Sequence, residues 1–298
     1  MAKISKRQEE IVKQTLQHAV VAVQTIPNAA LASLVPHIKE AQALLVSELK
    51  SWELKQDGAH VKRSALAQLD AAMEEIESLG PAMEGTLVAA GEQAAGAGLS
   101  AMQRQLASLN AMFEGSMVPV DFTRAATLAT GNNLLVRKYP TSAARYAGAI
   151  REDVKRHLTV GTLRQQSITQ MTNRMYAEIP GVFNKARSNA ERLIRTEVMN
   201  SYNDAHLQGL LDANDEDEEV KMRWDASYDP RRCPECGSLD GQIVEVDKEF
   251  AASWTTSKGA GKSSNHRRPP AHPNCRCVLV PWIDDWPDTD WNTEPPDE

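Results

Sequence analysis

Apolar residues recur every three or four positions along most of the chain before Asp212, a spacing that predicts a series of amphipathic helices. In the first part of the chain the pattern predicts helices over 7–25, 36–55, 61–79 and 83–113. We place helix ends at Ile26–Pro27 and Gly80–Pro81, because proline lacks a backbone N–H and its ring clashes with the preceding turn.

Four more helices are predicted over 125–135, 142–158, 163–179 and 184–211, with breaks at Tyr139–Pro140, Val160–Gly161 and Ile179–Pro180–Gly181. The helix over 83–113 contains several glycines, which weaken a straight rod. We therefore expect a kink or a close helix contact there. Its Ala/Gly-rich faces would suit self-association with a copy of the chain, and ordinary packing within one chain is the alternative.

A polar row follows one face of the helix over 184–211. Its members, at helical spacing, are Glu197, Ser201, Asp204 and Gln208. Apolar residues flank this row, whereas Arg195 points to another face. A carboxylate within an apolar face needs a partner. One hypothesis is that Glu197 meets an arginine or a backbone N–H of the C-terminal region and that Arg195 helps to position the helix; the other is that the row is exposed.

Beyond the acidic run that ends this helix, the pattern changes to short strands. Strands are predicted over 220–224, 241–246 and 277–282, the second with the alternation of a half-buried strand. Residues Gly259–Ser264 have some features of a phosphate loop. The first glycine of that pattern is missing, since Thr256 stands there, so we predict a flexible loop.

Composition supports a helical protein. The chain of 298 residues is 42% hydrophobic and only 5% aromatic, which suits Ala/Leu-rich helices. No apolar run is long enough for a membrane span, and the N-terminus lacks the apolar core of a signal peptide, so we expect a reducing cytoplasm. The net charge is −7, and residues 281–298 carry seven acids and no Lys or Arg, which predicts an extended acidic tail.

All four cysteines lie in two short clusters. Cys233 and Cys236 form a Cys-x-x-Cys knuckle, and Cys275 and Cys277 follow His272 in a second cluster. Two such knuckles are typical of a tetrahedral zinc site, and with five soft donors for four places a structural Zn²⁺ is favoured over a catalytic one. We favour the four thiolates, with His272 as a competitor for the place of Cys277 or Cys275. Disulfides or free thiols are the alternatives.

A basic patch lies between the knuckles. It comprises Lys258, Lys262, His266, Arg267 and Arg268. It could contact nucleic acid or an acidic neighbour, or it could be a solvated loop. Two histidines beside a zinc knuckle also raise the alternative of a zinc-containing nuclease, which needs a general base beside a catalytic metal. Such an enzyme would have a helix after the second knuckle, whereas the pattern after Cys277 predicts a strand, which argues against the nuclease.

Several short motifs in a fixed order resemble one known family. They are Arg195-Thr196-Glu197, Trp224-Asp225-Ala226, Leu239-Asp240-Gly241 and His272-Pro273-Asn274-Cys275-Arg276-Cys277. Together they are similar to the phage Mu protein F-like minor head proteins, also called phage head morphogenesis proteins. The resemblance covers about residues 140–282.

The resemblance implies a structural component of a bacteriophage virion and implies no enzymatic activity. It implies a place in the head interior or near the portal, and in the host cytoplasm during assembly. The implied partners are the portal protein or the major capsid protein and the packaged phage DNA, with a role in head assembly and in DNA packaging or ejection.

The predicted architecture is mostly α, with helical N-terminal and central regions and a small C-terminal zinc-stabilised α+β module. We divide the chain into a helical N-terminal region over 1–118, a central helical region over 119–219, a zinc-binding module over 220–282 and an acidic tail over 283–298.

Overall fold

The computed structural model describes residues 24–55, 63–112, 139–163, 168–215, 220–226 and 231–282. Nearly all of the helix predicted over 7–25, the whole of that over 125–135 and the acidic tail lie outside these residues. The predicted fold class is confirmed: long helices are followed by a small C-terminal region of short strands.

Five helices and five strands occur in the described ranges. The helices are α1 Ile26–Lys55, α2 Arg63–Met112, α3 Tyr139–Leu163, α4 Ile168–Asp215 and α5 Pro234–Leu239. The strands are β1 Lys221–Asp225, β2 Ile243–Glu245, β3 Phe250–Thr255, β4 Gly261–His266 and β5 Val278–Trp282.

The predicted helix breaks at Gly80–Pro81, Val160–Gly161 and Ile179–Pro180–Gly181 are wrong, because α2, α3 and α4 run through them. Along α2 a continuous stripe of buried residues crosses the proline: Ile76, Leu79, Met83 and Leu87. An interior proline costs about 3 kcal/mol, and each large apolar side chain contributes about 1.5–3 kcal/mol when buried. The stripe therefore outweighs the proline.

The start predicted for the second helix is also wrong. Helix α1 begins at Ile26 and contains Pro36 in its interior. Its predicted apolar face is confirmed at four positions, and all four are buried: Ile38, Ala41, Leu45 and Leu49. Leu34 continues this face before Pro36, which explains why the helix extends toward the N-terminus.

The described chain forms two compact units, which do not follow the chain order. The first, called here the helical unit, comprises the described residues 27–55, 63–90, 139–163 and 168–194. Within it Arg151 of α3 pairs with Glu77 of α2, and Lys185 of α4 donates to Asp153 of α3 at 2.6 Å. A Cβ on Gly80 would lie 3.7 Å from the Cβ of Ala147, so α2 and α3 pack closely.

The second unit, called here the C-terminal unit, comprises the described residues 24–26, 91–112, 195–215, 220–226 and 231–282. Its sheet has the order β2-β1-β5 and is antiparallel throughout. The side chains of β1 alternate, with Met222 and Trp224 buried, and every residue of β5 is buried. Trp224 meets Phe250 edge to face, with ring centroids 5.2 Å apart, at the centre of the apolar cluster.

Helices α2 and α4 complete this core. Met102 and Leu106 of α2 join Leu207 and Leu210 of α4 in the apolar cluster around Trp224. The close helix contact expected from the glycines of α2 is present at Gly98, where an added Cβ would lie 2.3 Å from the Tyr202 carbonyl oxygen. A glycine is therefore required at this crossing.

The insert between the knuckles also differs from the prediction. Residues Gly259–Ser264, predicted to be a flexible loop, form the turn and part of the second strand of a hairpin. Strands β3 and β4 pair in antiparallel register from Phe250 opposite His266 to Thr255 opposite Gly261. Gly259 has a positive φ of 78° in the turn, which a residue without a Cβ adopts freely.

None of the described helices combines the length and the apolar character that crossing a bilayer would require.

Candidate metal centre

The first knuckle is the start of α5. Cys233 caps this helix: its backbone is extended, with φ −80° and ψ 160°, and its Sγ accepts a hydrogen bond from the Cys236 N–H at 3.3 Å. Pro234 occupies the first turn, where the missing N–H costs nothing. The local sequence thus builds a tight turn that brings the sulfurs of Cys233 and Cys236 to one side.

The second knuckle is a turn that leads into β5. The Cys275 N–H donates to the His272 carbonyl oxygen at 3.1 Å. Asn274 lies in the left-handed region, with φ 63°, which asparagine tolerates better than most residues. This turn places His272 and Cys275 against the first knuckle.

The five donors predicted from the sequence lie together. His272 Nε2 lies 3.0 Å from Cys233 Sγ and 3.1 Å from Cys236 Sγ, and Cys236 Sγ lies 3.7 Å from Cys275 Sγ. The donors form two groups of three, and both groups contain Cys236. Within each group the three donor atoms lie within 4.8 Å of one another. One is Cys233, Cys236 and His272; the other is Cys236, Cys275 and Cys277. A metal ion could therefore be held at this point.

The ring orientation of His272 supports metal binding. Its Nδ1 lies 2.8 Å from the Pro273 carbonyl oxygen. Because a carbonyl oxygen can only accept, Nδ1 must carry the hydrogen, which leaves the Nε2 lone pair directed at the two sulfurs. A backbone carbonyl on the other ring nitrogen is the usual arrangement for a histidine that ligates through Nε2.

The separations between the donors can be compared with those of a tetrahedral zinc site. In a tetrahedron with Zn–S of about 2.3 Å and Zn–N of about 2.0–2.1 Å, ligand atoms are about 3.8 Å apart for two sulfurs and about 3.5 Å apart for sulfur and nitrogen. The Cys236–Cys275 separation of 3.7 Å matches the first value, and the two S–N separations of 3.0 and 3.1 Å are somewhat shorter than the second. The separations around Cys236 are therefore close to those of a tetrahedral site, and Cys236 is the donor that the two groups of three share.

The close packing of the thiols shifts the pKa values of Cys275 and Cys236 in opposite directions. The pKa of Cys275 is well below its ordinary value because the thiols of Cys236 and Cys277 donate hydrogen bonds to its sulfur. The pKa of Cys236 is raised by these hydrogen bonds with Cys275 and Cys277 and by burial. The cluster thus already favours one thiolate, and a bound cation would stabilise negative charge on the others.

Polar residues of α4 hold the segment that carries the second knuckle. Thr196 Oγ1 accepts from the Asn274 N–H at 3.2 Å, which joins the Arg-Thr-Glu motif directly to the second cysteine motif. Arg268 donates to Asp204 Oδ1 at 3.0 Å and to Asn200 Oδ1 at 3.3 Å. These contacts hold the segment against the helix before the turn and within it.

Asn203 makes the most buried of these contacts, and the sequence pattern had not singled it out. Its side-chain nitrogen donates to the Cys277 carbonyl oxygen at 3.2 Å, and its side-chain oxygen accepts from the Leu279 N–H at 3.0 Å. The amide therefore takes the place of a neighbouring strand beside β5. Position 203 is one residue from Asp204 of the predicted polar row, and helical spacing alone gave no sign of its partner.

The Leu-Asp-Gly motif closes the far end of β1. Asp240 accepts from the Ala226 N–H at 3.0 Å and from Arg232 at 2.8 Å. Gly241, with φ 76°, donates its N–H to the Trp224 carbonyl oxygen at 2.9 Å. Two motifs distant in the sequence thus pair in space.

The predicted interaction residues have different surroundings. Arg267 donates to the Lys248 carbonyl oxygen at 2.6 Å and also bonds the Val246 carbonyl oxygen, and Arg268 is bound to α4, so both are used within the chain. Lys262 is exposed on β4.

The row on α4 meets the C-terminal region through Asp204. Glu197, on the same row, accepts from Asn200 at 3.4 Å. Arg195 is half-buried and takes part in polar interactions of its own.

These observations define a class of protein: a mostly helical protein whose small C-terminal α+β module is organised around a Cys/His cluster able to hold a metal ion. Residues 148–280 match the family model described as phage Mu protein F like protein. This region of the chain, which contains the whole cluster, is similar to that family, as the motifs indicated. The comparisons with curated proteins and with solved structures found no match.

Proposed function

We propose that this protein is a minor head protein of a bacteriophage, a structural virion component that associates with the portal or the capsid and assists head assembly and DNA packaging or ejection. The observation that carries the proposal is the family match over residues 148–280. The motifs that mark the family form the contacts that assemble the C-terminal unit, such as that between Thr196 and Asn274.

We further infer that the bound ion is a structural Zn²⁺. Soft thiolate and imidazole donors favour zinc, and five of them leave no evident position for a reacting water. Three of the four thiols belong to the apolar cluster around Trp224, which suits an ion that stabilises folding. A structural zinc contributes on the order of 10 kcal/mol to the folding of a small module.

The contacts of His272 change the preferred ligand set. Its Nε2 touches both Cys233 and Cys236, so we propose these three as ligands, with the fourth place filled from the pair Cys275 and Cys277. Cys275 is favoured, because its sulfur lies at tetrahedral spacing from Cys236. The five donors named from the sequence stay the candidates, and His272 becomes a preferred one.

Cobalt substitution tests the ligand set. The full chain is loaded with Co²⁺, and its thiolate-to-metal charge-transfer absorption is compared with that of Cys275→Ser, Cys277→Ser and His272→Ala. We expect Cys275→Ser to lower the thiolate absorption, and Cys277→Ser to leave it unchanged. We expect His272→Ala to alter the d–d bands and to weaken binding. The reverse result for the two serine variants would assign the fourth place to Cys277.

Association with the head is tested by co-expression with the portal and major capsid proteins of the same phage genome. The expected result is co-purification of the chain with one of them and its detection by mass spectrometry in purified virions, at few copies per particle. Free chain in the lysate and none in the virions would contradict the proposal.

The rival function, a zinc-containing nuclease or a nucleic-acid-binding protein, has a separate test. The purified chain is incubated with supercoiled plasmid and Mg²⁺ or Mn²⁺. We expect no cutting; metal-dependent cutting that is lost in His272→Ala would establish the enzyme instead. Salt-sensitive DNA binding that is lost when Lys262 is replaced by Ala would support a nucleic-acid contact.

A further inference from the structure

The hairpin β3–β4 contacts the first knuckle through one carboxylate. Glu235, which lies between the two cysteines of the knuckle, accepts from the Ser264 hydroxyl at 2.9 Å, and its Oε1 lies 2.9 Å from His266 Nε2. Ser264 Oγ and His266 Nε2 are themselves 2.7 Å apart. The side chains of Glu235 and His266 are only 17% and 16% exposed, so the trio is largely shielded from water.

The hydrogen positions in this trio follow from its geometry. Because a carboxylate oxygen only accepts, both the Ser264 hydroxyl and the Nε2 of His266 donate to Glu235. A nucleophilic serine needs one ring nitrogen to receive its proton and the other to face the carboxylate. Here serine and carboxylate both face Nε2, which is an arrangement for holding Glu235 and not for activating Ser264.

Hydrogen bonds between backbone groups and side chains also hold the hairpin against α5. The Ser253 N–H donates to Ser238 Oγ at 3.2 Å. Gln242 bridges the two segments, because its side-chain nitrogen donates to the Ala251 carbonyl oxygen at 2.9 Å and to the Ser238 carbonyl oxygen at 2.6 Å. The hairpin is therefore attached to α5 at several points, and Glu235 is the one that lies within the knuckle.

We propose that Ser264 and His266, by holding the carboxylate of Glu235, are positioning residues that set Cys233 and Cys236 for the metal ion. The knuckle has two residues between its ligands, and one of them is Glu235. Fixing its carboxylate removes freedom from the turn before the ion binds, so less conformational entropy is lost on binding. The hairpin between the two knuckles then contributes to metal binding by positioning the first knuckle. This inference rests on the proposed metal site.

The test is the rate at which the full chain releases Zn²⁺ to a chromogenic chelator. We expect Ser264→Ala to release the ion about 10-fold faster, because the loss of residues that orient metal ligands costs about 10–100-fold in affinity. Ser263→Ala is the matched control: Ser263 is the adjacent, exposed residue of the same strand, and we expect the wild-type rate. Ser264→Thr keeps the hydroxyl and should restore slow release.

A second measurement separates positioning from general loss of stability. In the Co²⁺-loaded chain, Ser264→Ala should change the d–d band intensities, since the knuckle is less constrained, while the thiolate absorption stays. Combining Ser264→Ala with Glu235→Gln, which keeps the shape of the side chain, should give less than the sum of the two effects on release, because both act through one contact.

Three outcomes would overturn the inference: release from Ser264→Ala at the wild-type rate, equal acceleration by Ser263→Ala, or strictly additive effects in the double variant. His266→Gln, which retains a donor for Glu235, serves if Ser264→Ala fails to fold, and it should release the ion more slowly than His266→Leu. A wild-type chain that holds no ion would instead refute the metal site itself.

Discussion

Asn203 shows how much one side chain of α4 contributes to the C-terminal unit. Its residue is 0% exposed, and its amide satisfies one carbonyl and one N–H of the segment that carries Cys277. Buried backbone groups need partners, and here a side chain provides them where the sheet ends.

We predict that Asn203→Ala lowers the free energy of unfolding by about 2–4 kcal/mol. A buried group left without a hydrogen-bond partner costs about 1–3 kcal/mol, and this variant leaves two such backbone groups. Urea unfolding in excess zinc measures the change. Asn184→Ala, at an exposed position of the same helix, is the control and should change it by less than about 0.5 kcal/mol. Similar losses in both variants would refute this role.

His206 is a second residue whose burial has a measurable consequence. It is 0% exposed, neither ring nitrogen has a hydrogen-bond partner among the described residues, and burial lowers its pKa to about 3. Its ring lies 5.9 Å from that of Tyr202. The folded chain therefore holds this histidine neutral.

Acid should weaken the fold through this residue. The unfolded chain binds a proton at His206 below about pH 6.5 and the folded chain does so only near pH 3, so stability falls as the pH drops between these values. At pH 5.5 the loss is about 1 kcal/mol relative to neutral pH. The His206→Leu variant should lack this part of the pH dependence in urea unfolding with excess zinc, and His37→Gln, on the exposed face of α1, should retain it.

At the scale of the elements, the crossing of α2 and α4 is set by small residues. Gly98 meets the backbone of Tyr202, and Ala95 and Ala205 are buried together. Helices approach this closely only where a side chain is absent or is a methyl group. The alanine and glycine face of α2 is thus used for packing within the chain at this point.

Two glycines of α2 should respond in opposite directions to alanine. We expect Gly98→Ala to lower the free energy of unfolding by more than 2 kcal/mol, on the order of other overpacking changes, since its Cβ would overlap the Tyr202 backbone. A Cβ added at Gly96 would meet no atom within 4 Å, so Gly96→Ala should raise the free energy of unfolding by about 0.5–1 kcal/mol through helix propensity. Thermal unfolding followed by circular dichroism tests the pair, and equal shifts would contradict the close crossing.

For the whole molecule, the distribution of the metal donors has one main consequence. All five belong to the C-terminal unit, where three of the four thiols are part of its core. The helical unit has its own buried residues and its own ion pairs between α2, α3 and α4. Metal binding should therefore stabilise the two units unequally.

Hydrogen exchange with and without a strong chelator tests this expectation. Removing the ion should raise exchange first over residues 231–282 and in the part of α4 that holds them, 195–215, and should leave 139–156 of α3 protected. One bound zinc per chain should be lost at the same chelator concentration. Uniform loss of protection would contradict the unequal stabilisation, and no loss would show that the ion does not stabilise the C-terminal unit.

The sequence by itself predicted the class of fold, the resemblance to a family and the five candidate metal donors. Helical spacing reports burial on one face of a helix, and the two Cys/His clusters carry their chemistry in the residue types and the short spacing of each turn. The sequence also predicted the three strands of the sheet to within about two residues, because alternation and apolar runs are local properties.

Only the tertiary structure decided where the helices end, what the insert does and which donors meet. Pro81 and Pro180 are tolerated because apolar stripes on either side are buried by other helices, and no local signal measures that burial. Likewise Glu235, Ser264 and His266 come together only when the hairpin packs on α5. Contacts between residues distant in the chain depend on the packing of whole elements, and that packing is a property of the folded chain.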